Sequence, residues 1–243
     1  MTARNLRHTL RSPDALISTL ALPIMILLMF VYVFGGAMDI GDGTFVDYVV
    51  PGIILLCASF GAATTAVSVS VDITEGIVDR FRTMAISRSS FLTGHITESL
   101  LRNMAATAIV VAVALAIGFR PTADPVRWLA AAAVLALVVL ALSWMSACFG
   151  LIAGSPEAAN GFTIFAMFIP YVSSAFVPPE TMPSWLRGFA EHQPVTPVIE
   201  TLRGLLIGTP IGNSALLALS WWGGIAVVCY VTALVLFHRK TRD

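Results

Sequence analysis

The chain has 243 residues, of which 57% are hydrophobic and only 12% are charged. A soluble domain usually carries about twice that charged fraction, so a mean hydropathy of +0.86 indicates a protein with several membrane spans. The formal net charge is zero, which excludes the broad basic surface on which nucleic acid binds. We therefore expect a multi-pass protein of the cell membrane.

Six stretches are long and apolar enough to cross a bilayer core of about 30 Å, which needs roughly 20 helical residues. Each must be helical, because lipid offers no partner to backbone N–H and C=O groups. The predicted fold class is an all-α membrane protein with one transmembrane domain over residues 1–243. The expected spans are about 16–37, 46–71, 100–119, 127–153, 157–177 and 214–237.

The distribution of basic residues predicts the orientation. Six spans put both termini on one side, and with both termini cytoplasmic ten of the fourteen Arg and Lys residues lie inside. The basic start precedes an apolar run that is too long for a signal peptide, so we expect that run to be retained. Residues 72–90 are then cytoplasmic and residues 178–213 external.

The external segment 178–213 is punctuated by prolines and is nevertheless amphipathic. Its pattern predicts two short helices, starting near Pro183 and Pro197, that lie at the outer interface or re-enter it. A plain surface loop is the alternative. The apolar faces would hold Trp185, Leu186, Phe189, Val198, Ile199, Leu202 and Leu205.

The fifth span has a well-defined predicted start. Ser155 is a preferred N-cap residue, Pro156 suits the first helical position, and Glu157 complements the positive end of the helix dipole. Aromatic side chains crowd the span that follows. They predict either a path for an apolar substrate or ordinary helix packing. The residues concerned are Phe162, Phe165, Phe168 and Tyr171.

The sequence lacks the residues that several classes of transporter and enzyme require. Within the six ranges, charged side chains occur only at or near the ends, at Asp47, Arg102, Arg127 and Glu157. This argues against a proton-coupled carrier and against a channel built on charged rings. The sequence holds no metal-ligand spacing and no phosphate-binding GxxxxGK[ST] loop. We therefore expect no cofactor and no ATPase site in this chain, so energy for uphill transport must come from a partner.

The segment DITEGIVDRFRTMAISRSS, spanning 72–90, interrupts the apolar pattern. Ile73, Ile77, Phe81 and Met84 recur with helical period, and acidic residues precede basic ones, as the helix dipole favours. This pattern predicts a surface helix whose apolar stripe enters a groove in a cytoplasmic partner. A solvated charged loop is the alternative.

Two motifs in this sequence are similar to those of a known family. EGIVDRFRTMAISRSSFLTGHITESL (75–100) and QPVTPVIETLRGLLIG (193–208) resemble motifs of ABC-2 type transporter permeases, most closely the daunorubicin-resistance (DrrB-like) branch. Ala85 departs from the family, where many relatives have Pro, and so does His95, where relatives often have Lys or Arg. The residues that match or extend the first motif are Glu75, Gly76, Asp79, Arg80, Phe81, Arg82, Met84 and Arg88.

The resemblance implies a permease subunit that couples to a separate ATPase subunit through those residues, with ATP and Mg bound by the partner. It also implies a second permease copy, as a homodimer or with a sister permease. Residues 1–13, with Arg4, Arg7 and Arg11, would form an interfacial amphipathic helix. The branch points to efflux of a hydrophobic drug-like or lipid-like substrate and to antibiotic resistance. Three alternatives stay open: export of a polysaccharide or another envelope precursor, a non-transporting membrane assembly subunit, and a substrate-driven secondary carrier.

Overall fold

The computed structural model describes residues 13–35, 45–75 and 89–240. Those residues form eight α-helices and contain no β-strand, which confirms the all-α prediction. The helices are α1 (Pro13–Met29), α2 (Phe45–Thr74), α3 (Ser89–Ala116), α4 (Pro125–Ile152), α5 (Pro156–Phe168), α6 (Ser184–His192), α7 (Val195–Ile207) and α8 (Ser214–Lys240). A π-helical turn at Phe30–Phe34 extends α1, and 3₁₀ turns lie at Ile169–Val172 and Pro179–Thr181.

Polar caps fix where two of the long helices begin. Asp124 accepts a hydrogen bond from the backbone N–H of Arg127 at 2.8 Å, and Pro125 follows it at the first position of α4. Ser155 in the same way accepts from the N–H of Ala158 at 3.3 Å, which confirms the predicted start of α5.

Helix α2 is the centre of the bundle, with nineteen of its thirty residues buried. It packs against α1, α3, α4, α5 and α7. Small residues allow this close packing: Gly52 lies beside Ala175, Gly61 beside the side chain of Asn103, and Gly150 of α4 beside the carbonyl of Ala66. Helix α2 is therefore the helix against which five of the other helices pack.

Two ends of the bundle matter for function. At one end α2 stops and α3 starts, and we call this the 75–89 end. An apolar cluster around Trp144 closes it, with Val69 and Leu92 fully buried. At the other end α6 and α7 cover the start of α2, and we call this the α6–α7 end. The main apolar core fills the space between, along α2 and its neighbours.

Four helices are long and apolar enough to cross a membrane, namely α2, α3, α4 and α8. The first expected span, 16–37, corresponds to α1 and its π-turn, Pro13–Met29 and Phe30–Phe34. The fifth is shorter than expected, because α5 ends at Phe168, well before the predicted limit at 177. Pro170 follows in the 3₁₀ turn and Ser173 is extended, so the backbone leaves the helical path although the sequence stays apolar.

The two short helices predicted in 178–213 are α6 and α7. Their starts, at Ser184 and Val195, lie within two residues of the expected prolines. Gly208 ends α7 in the left-handed conformation, with φ +85°, which glycine adopts without a steric cost. Trp185 and Phe189 on α6 are exposed, whereas Val198, Ile199 and Leu202 on α7 are buried against the core.

Candidate functional site

The predicted coupling residues fall mostly outside the described ranges. Glu75 is described: it lies just past α2, is exposed, and donates its backbone N–H to the carbonyl of Val71 at 2.9 Å. The remaining coupling residues and the three arginines of the N-terminal helix lie in 76–88 and 1–12, so they stay predictions. They are Gly76, Asp79, Arg80, Phe81, Arg82, Met84, Arg88, Arg4, Arg7 and Arg11.

The structure describes the two helix ends at either end of the coupling segment, which is the name we use for residues 72–90. Asp72 lies in the last turn of α2 and His95 in the second turn of α3, and His95 Nε2 is 2.9 Å from Asp72 Oδ2. An ionised carboxylate can only accept hydrogen bonds, so Nε2 carries the hydrogen in this contact. The side chain of Asp72 is 28% exposed and that of His95 is 13% exposed, so most of each side chain is shielded from water. This pair joins the end of α2 to the start of α3, the two helices between which the coupling segment lies in the sequence.

A second polar layer lies deeper in the bundle. Thr65 Oγ1 of α2 donates to Ser99 Oγ of α3 at 2.9 Å, and Ser99 Oγ lies 2.8 Å from Ser143 Oγ of α4. Asn103 Nδ2 donates to the carbonyl of Ser99 at 2.8 Å. All four side chains are buried. Three helices are thus joined by hydrogen bonds where lipid and core would otherwise offer no polar partner.

Arg102 lies at the start of the apolar stretch 100–119, as expected. The helix that carries it begins earlier, at Ser89, so Arg102 is the fourteenth of the 28 residues of α3. Its guanidinium NH1 lies 3.4 Å from Glu98 Oε1 on the same helix. Its NH2 donates to Thr64 Oγ1 of α2 at 3.0 Å. Because the cation is matched by a carboxylate and by α2 acceptors, it costs far less here than an unpaired charge in a membrane helix would.

A buried arginine joins three elements at the α6–α7 end. Arg203 of α7 is 6% exposed. Its NH1 donates to Glu200 at 2.7 Å, and its NH2 donates to the carbonyls of Tyr48 at 3.2 Å and Ser174 at 3.0 Å. The guanidinium also lies 4.0 Å from the centroid of the Tyr48 ring. The planar fork of arginine can serve these directions together, which the ammonium of lysine cannot.

The second family motif has a structural role at the same end. Gln193 donates through Nε2 to the carbonyl of Val172. Thr196 Oγ1 donates to the carbonyl of Ala190 at 2.5 Å and lies 3.4 Å from the backbone N of Ser174. Trp222 Nε1 of α8 donates to the carbonyl of Pro194 at 2.9 Å. The Gln-Pro-x-Thr element therefore attaches α6 and α7 to the chain after α5 and to α8.

Helix α6 has its own surface ion pair. Arg187 Nε donates to Glu191 Oε1 at 2.7 Å, one turn along the helix. This hydrogen bond and the charge of Glu191 raise the pKa of Arg187 above its usual value. The pair is exposed, so it contributes little to stability.

The four aromatic residues predicted as a substrate path do not share one surface. Phe162 is buried against α2 and stacks on Phe149, with ring centroids 4.2 Å apart. Phe165 and Phe168 are 65% and 58% exposed on the outside of the bundle. Tyr171 stacks on Phe176 at 5.0 Å. The ring centroid of Tyr171 also lies 6.2 Å from that of exposed Phe168. The substrate path along these four residues stays a prediction.

Sequence reasoning did not identify the α2–α3 contacts, although a signal for them exists. His95, Ser99, Arg102 and Asn103 recur at intervals of four, three and one along α3 and form a polar stripe on one side of the helix. Among the described residues there is no group of three or more His, Cys, Asp or Glu that could hold a metal ion.

Long apolar helices crossed by a few internal polar contacts define a polytopic membrane protein. A family model described as ABC-2 type transporter matches residues 1–207. The chain is 30% identical over 224 residues to the daunorubicin resistance ABC transporter permease protein DrrB1 of Streptomyces coeruleorubidus, covering 92% of this chain and 76% of that one. It is 25% identical over 241 residues to the probable doxorubicin resistance ABC transporter permease protein DrrC of two Mycobacterium tuberculosis strains. That match covers 99% of this chain and 87% of DrrC.

The chain therefore belongs to the ABC-2 type transporter family. It is a multi-pass permease subunit of an exporter. The function predicted from the two motifs is thereby confirmed at the level of the family.

Proposed function

We propose that this permease moves a hydrophobic drug-like or lipid-like compound from the cytoplasm or the inner leaflet to the outside. The observation that carries the proposal is the similarity to a daunorubicin resistance permease over 92% of the chain. The described helices expose many large apolar side chains, some of them aromatic. Phe165 and Phe168 on α5 present two such side chains together.

The energy for transport enters through the 72–90 segment, in this proposal. A separate ATPase subunit binds ATP and Mg, and this chain binds neither. Phe81 and Met84 insert in a groove of the ATPase, while Asp79, Arg80 and Arg82 set the register. Support comes from the family membership of the chain and from the helical period of the apolar residues.

The six-span topology, with both termini cytoplasmic, is also part of the proposal. Helix α1 with its π-turn covers Pro13 to Phe34, a length of roughly 33 Å at 1.5 Å per residue. Helix α5 with its 3₁₀ turn is shorter, and a local thinning of the bilayer accommodates such a span at modest cost. The α6–α7 end then faces outward and the 75–89 end faces the ATPase.

A second permease copy completes the transporter. It is either an identical chain or a sister permease, and the exposed apolar faces of α1 and α5 are available for it. Met25, Tyr32 and Val33 on α1 are each at least 66% exposed.

The test is a purification with a matched control. Tagged permease is co-expressed with a candidate ATPase subunit from the same organism, and both ATPase retention and daunorubicin efflux are measured. Phe81→Ala/Met84→Ala should reduce both by at least roughly tenfold, because truncating two buried anchors removes most of a small interface. Phe189→Ala/Met182→Ala removes the same residue types at the α6–α7 end and should retain the ATPase. Unchanged retention in the first double variant would refute the docking role, and unchanged drug sensitivity in cells lacking the gene pair would refute the proposed cargo.

A further inference from the structure

The coupling segment is carried by two helices that share a polar contact at its base. Residues 76–88 leave α2 after Glu75 and return at Ser89, where α3 begins. The contact between Asp72 and His95 crosses from one helix to the other near these two points. The contact therefore lies close to both points at which the coupling segment joins the described helices.

The pair is not required to hold the two helices together. Directly below it, Val69 and Leu92 are fully buried and Ile96 is 4% exposed, so apolar packing already closes this end. Apolar residues of similar volume usually stabilise such a site at least as well as a polar pair that is partly removed from water. What a hydrogen-bonded pair adds is one fixed register between the helix ends.

The contact continues inward as two more polar links. Deeper in the bundle, the Thr65 hydroxyl donates a hydrogen bond to Ser99. Further along the same two helices, Arg102 donates a hydrogen bond to Thr64. The three links follow one antiparallel register along α2 and α3. Helix α2 is in turn packed against α1, α4, α5 and α7.

We infer that Asp72 and His95 are positioning residues for energy coupling, an inference that rests on the proposed docking of 72–90 to an ATPase. The pair fixes both ends of the coupling segment to one another, so that a displacement imposed by the ATPase moves α2 and α3 as one body. Without it the segment moves relative to the helices, and ATP is hydrolysed with less substrate carried.

The first test needs no ATPase and measures hydrogen exchange on the purified permease. His95→Ala should accelerate exchange at the end of α2 and the start of α3 roughly tenfold, since a hydrogen bond to a charged group is lost. Thr97→Ala is the matched control: its hydroxyl bonds only within α3, to the carbonyl of Thr93 at 2.7 Å. Equal exchange in wild type and His95→Ala would overturn the inference, whatever the outcome of the docking test.

The second test measures substrate carried per ATP hydrolysed in proteoliposomes containing the permease and its ATPase. Asp72→Ala and His95→Ala should each lower this ratio several-fold while ATPase retention is unchanged. The double variant should be no worse than the worse single variant, because both remove the same contact. His95→Gln retains an N–H donor and should recover much of the ratio, which a loss of folding would not allow. Additive losses, or a ratio that stays at the wild-type level, would overturn the inference. Loss of ATPase retention in wild type would instead refute the docking proposal.

Discussion

At the scale of single residues, Arg203 joins α7 to two other parts of the chain. It binds the carbonyls of Tyr48 and Ser174, which belong to the first turn of α2 and to the chain after α5. Glu200 supplies the balancing charge from one turn earlier on α7. Removing one partner of a buried pair is far more harmful than its formation is favourable, because the other partner is left uncompensated.

We expect Arg203→Lys to destabilise the permease by about 2 kcal/mol and Arg203→Ala by about 3–5 kcal/mol. Lysine keeps the charge but has one nitrogen with which to reach three acceptors in different directions. Thermal unfolding in detergent, followed by tryptophan fluorescence, measures the difference. Arg187→Lys is the control, since that arginine is exposed and pairs within α6, and it should change stability by less than about 0.5 kcal/mol. Equal effects at the two positions would show that burial of Arg203 is unimportant.

At the scale of helices, the hydropathy of the sequence predicted the long elements because a membrane span needs a long apolar run. The caps at Ser155 and the prolines near α6 and α7 predicted helix starts, because each is a local backbone signal. The early end of α5 was missed, since the sequence remains apolar through Pro170 and beyond. The pairing of Asp72 with His95 was also missed, because it depends on the register between two helices and not on either helix alone.

Helix packing around α2 gives a prediction with opposite signs at two glycines. A Cβ at Gly52 would lie 2.7 Å from the Cβ of Ala175 and 2.9 Å from its carbonyl oxygen, so the backbone would have to move. Gly52→Ala should therefore destabilise the permease by about 1–3 kcal/mol. Gly223→Ala in α8, where nothing lies within 4 Å, should be neutral or stabilise by up to about 1 kcal/mol. Melting temperatures of the two variants are compared, and a stabilised Gly52→Ala would contradict the close approach of α2.

At the scale of the whole molecule, each end of the bundle holds a polar contact that joins α2 to another element. The 75–89 end holds the Asp72–His95 pair, and the α6–α7 end holds Arg203. Helix α2 extends from one to the other over 30 residues, or about 45 Å at 1.5 Å per residue. In the proposed topology, a helix held at both ends is suited to carry a movement from the ATPase side to the opposite face of the membrane.

The proposed orientation predicts which thiols a membrane-impermeant reagent reaches. In a background without the three native cysteines, Glu191→Cys should be labelled in intact spheroplasts and Glu75→Cys only in inside-out vesicles. Val228→Cys, at an exposed position near the middle of α8, should be labelled in neither because lipid covers it. The reverse pattern at the first two positions would mean that the permease is inserted the other way round.

The contact between Arg203 and Tyr48 also has a consequence for biosynthesis, because the two residues are 155 positions apart in the chain. At a translation rate of about 5–20 residues per second, the ribosome needs roughly 8–30 s to make the second after the first. During that interval α2 is already synthesised without the arginine that later binds its first turn. The newly made protein thus passes through a stage in which the early helices have been synthesised but the contact between Tyr48 and Arg203 has not yet formed.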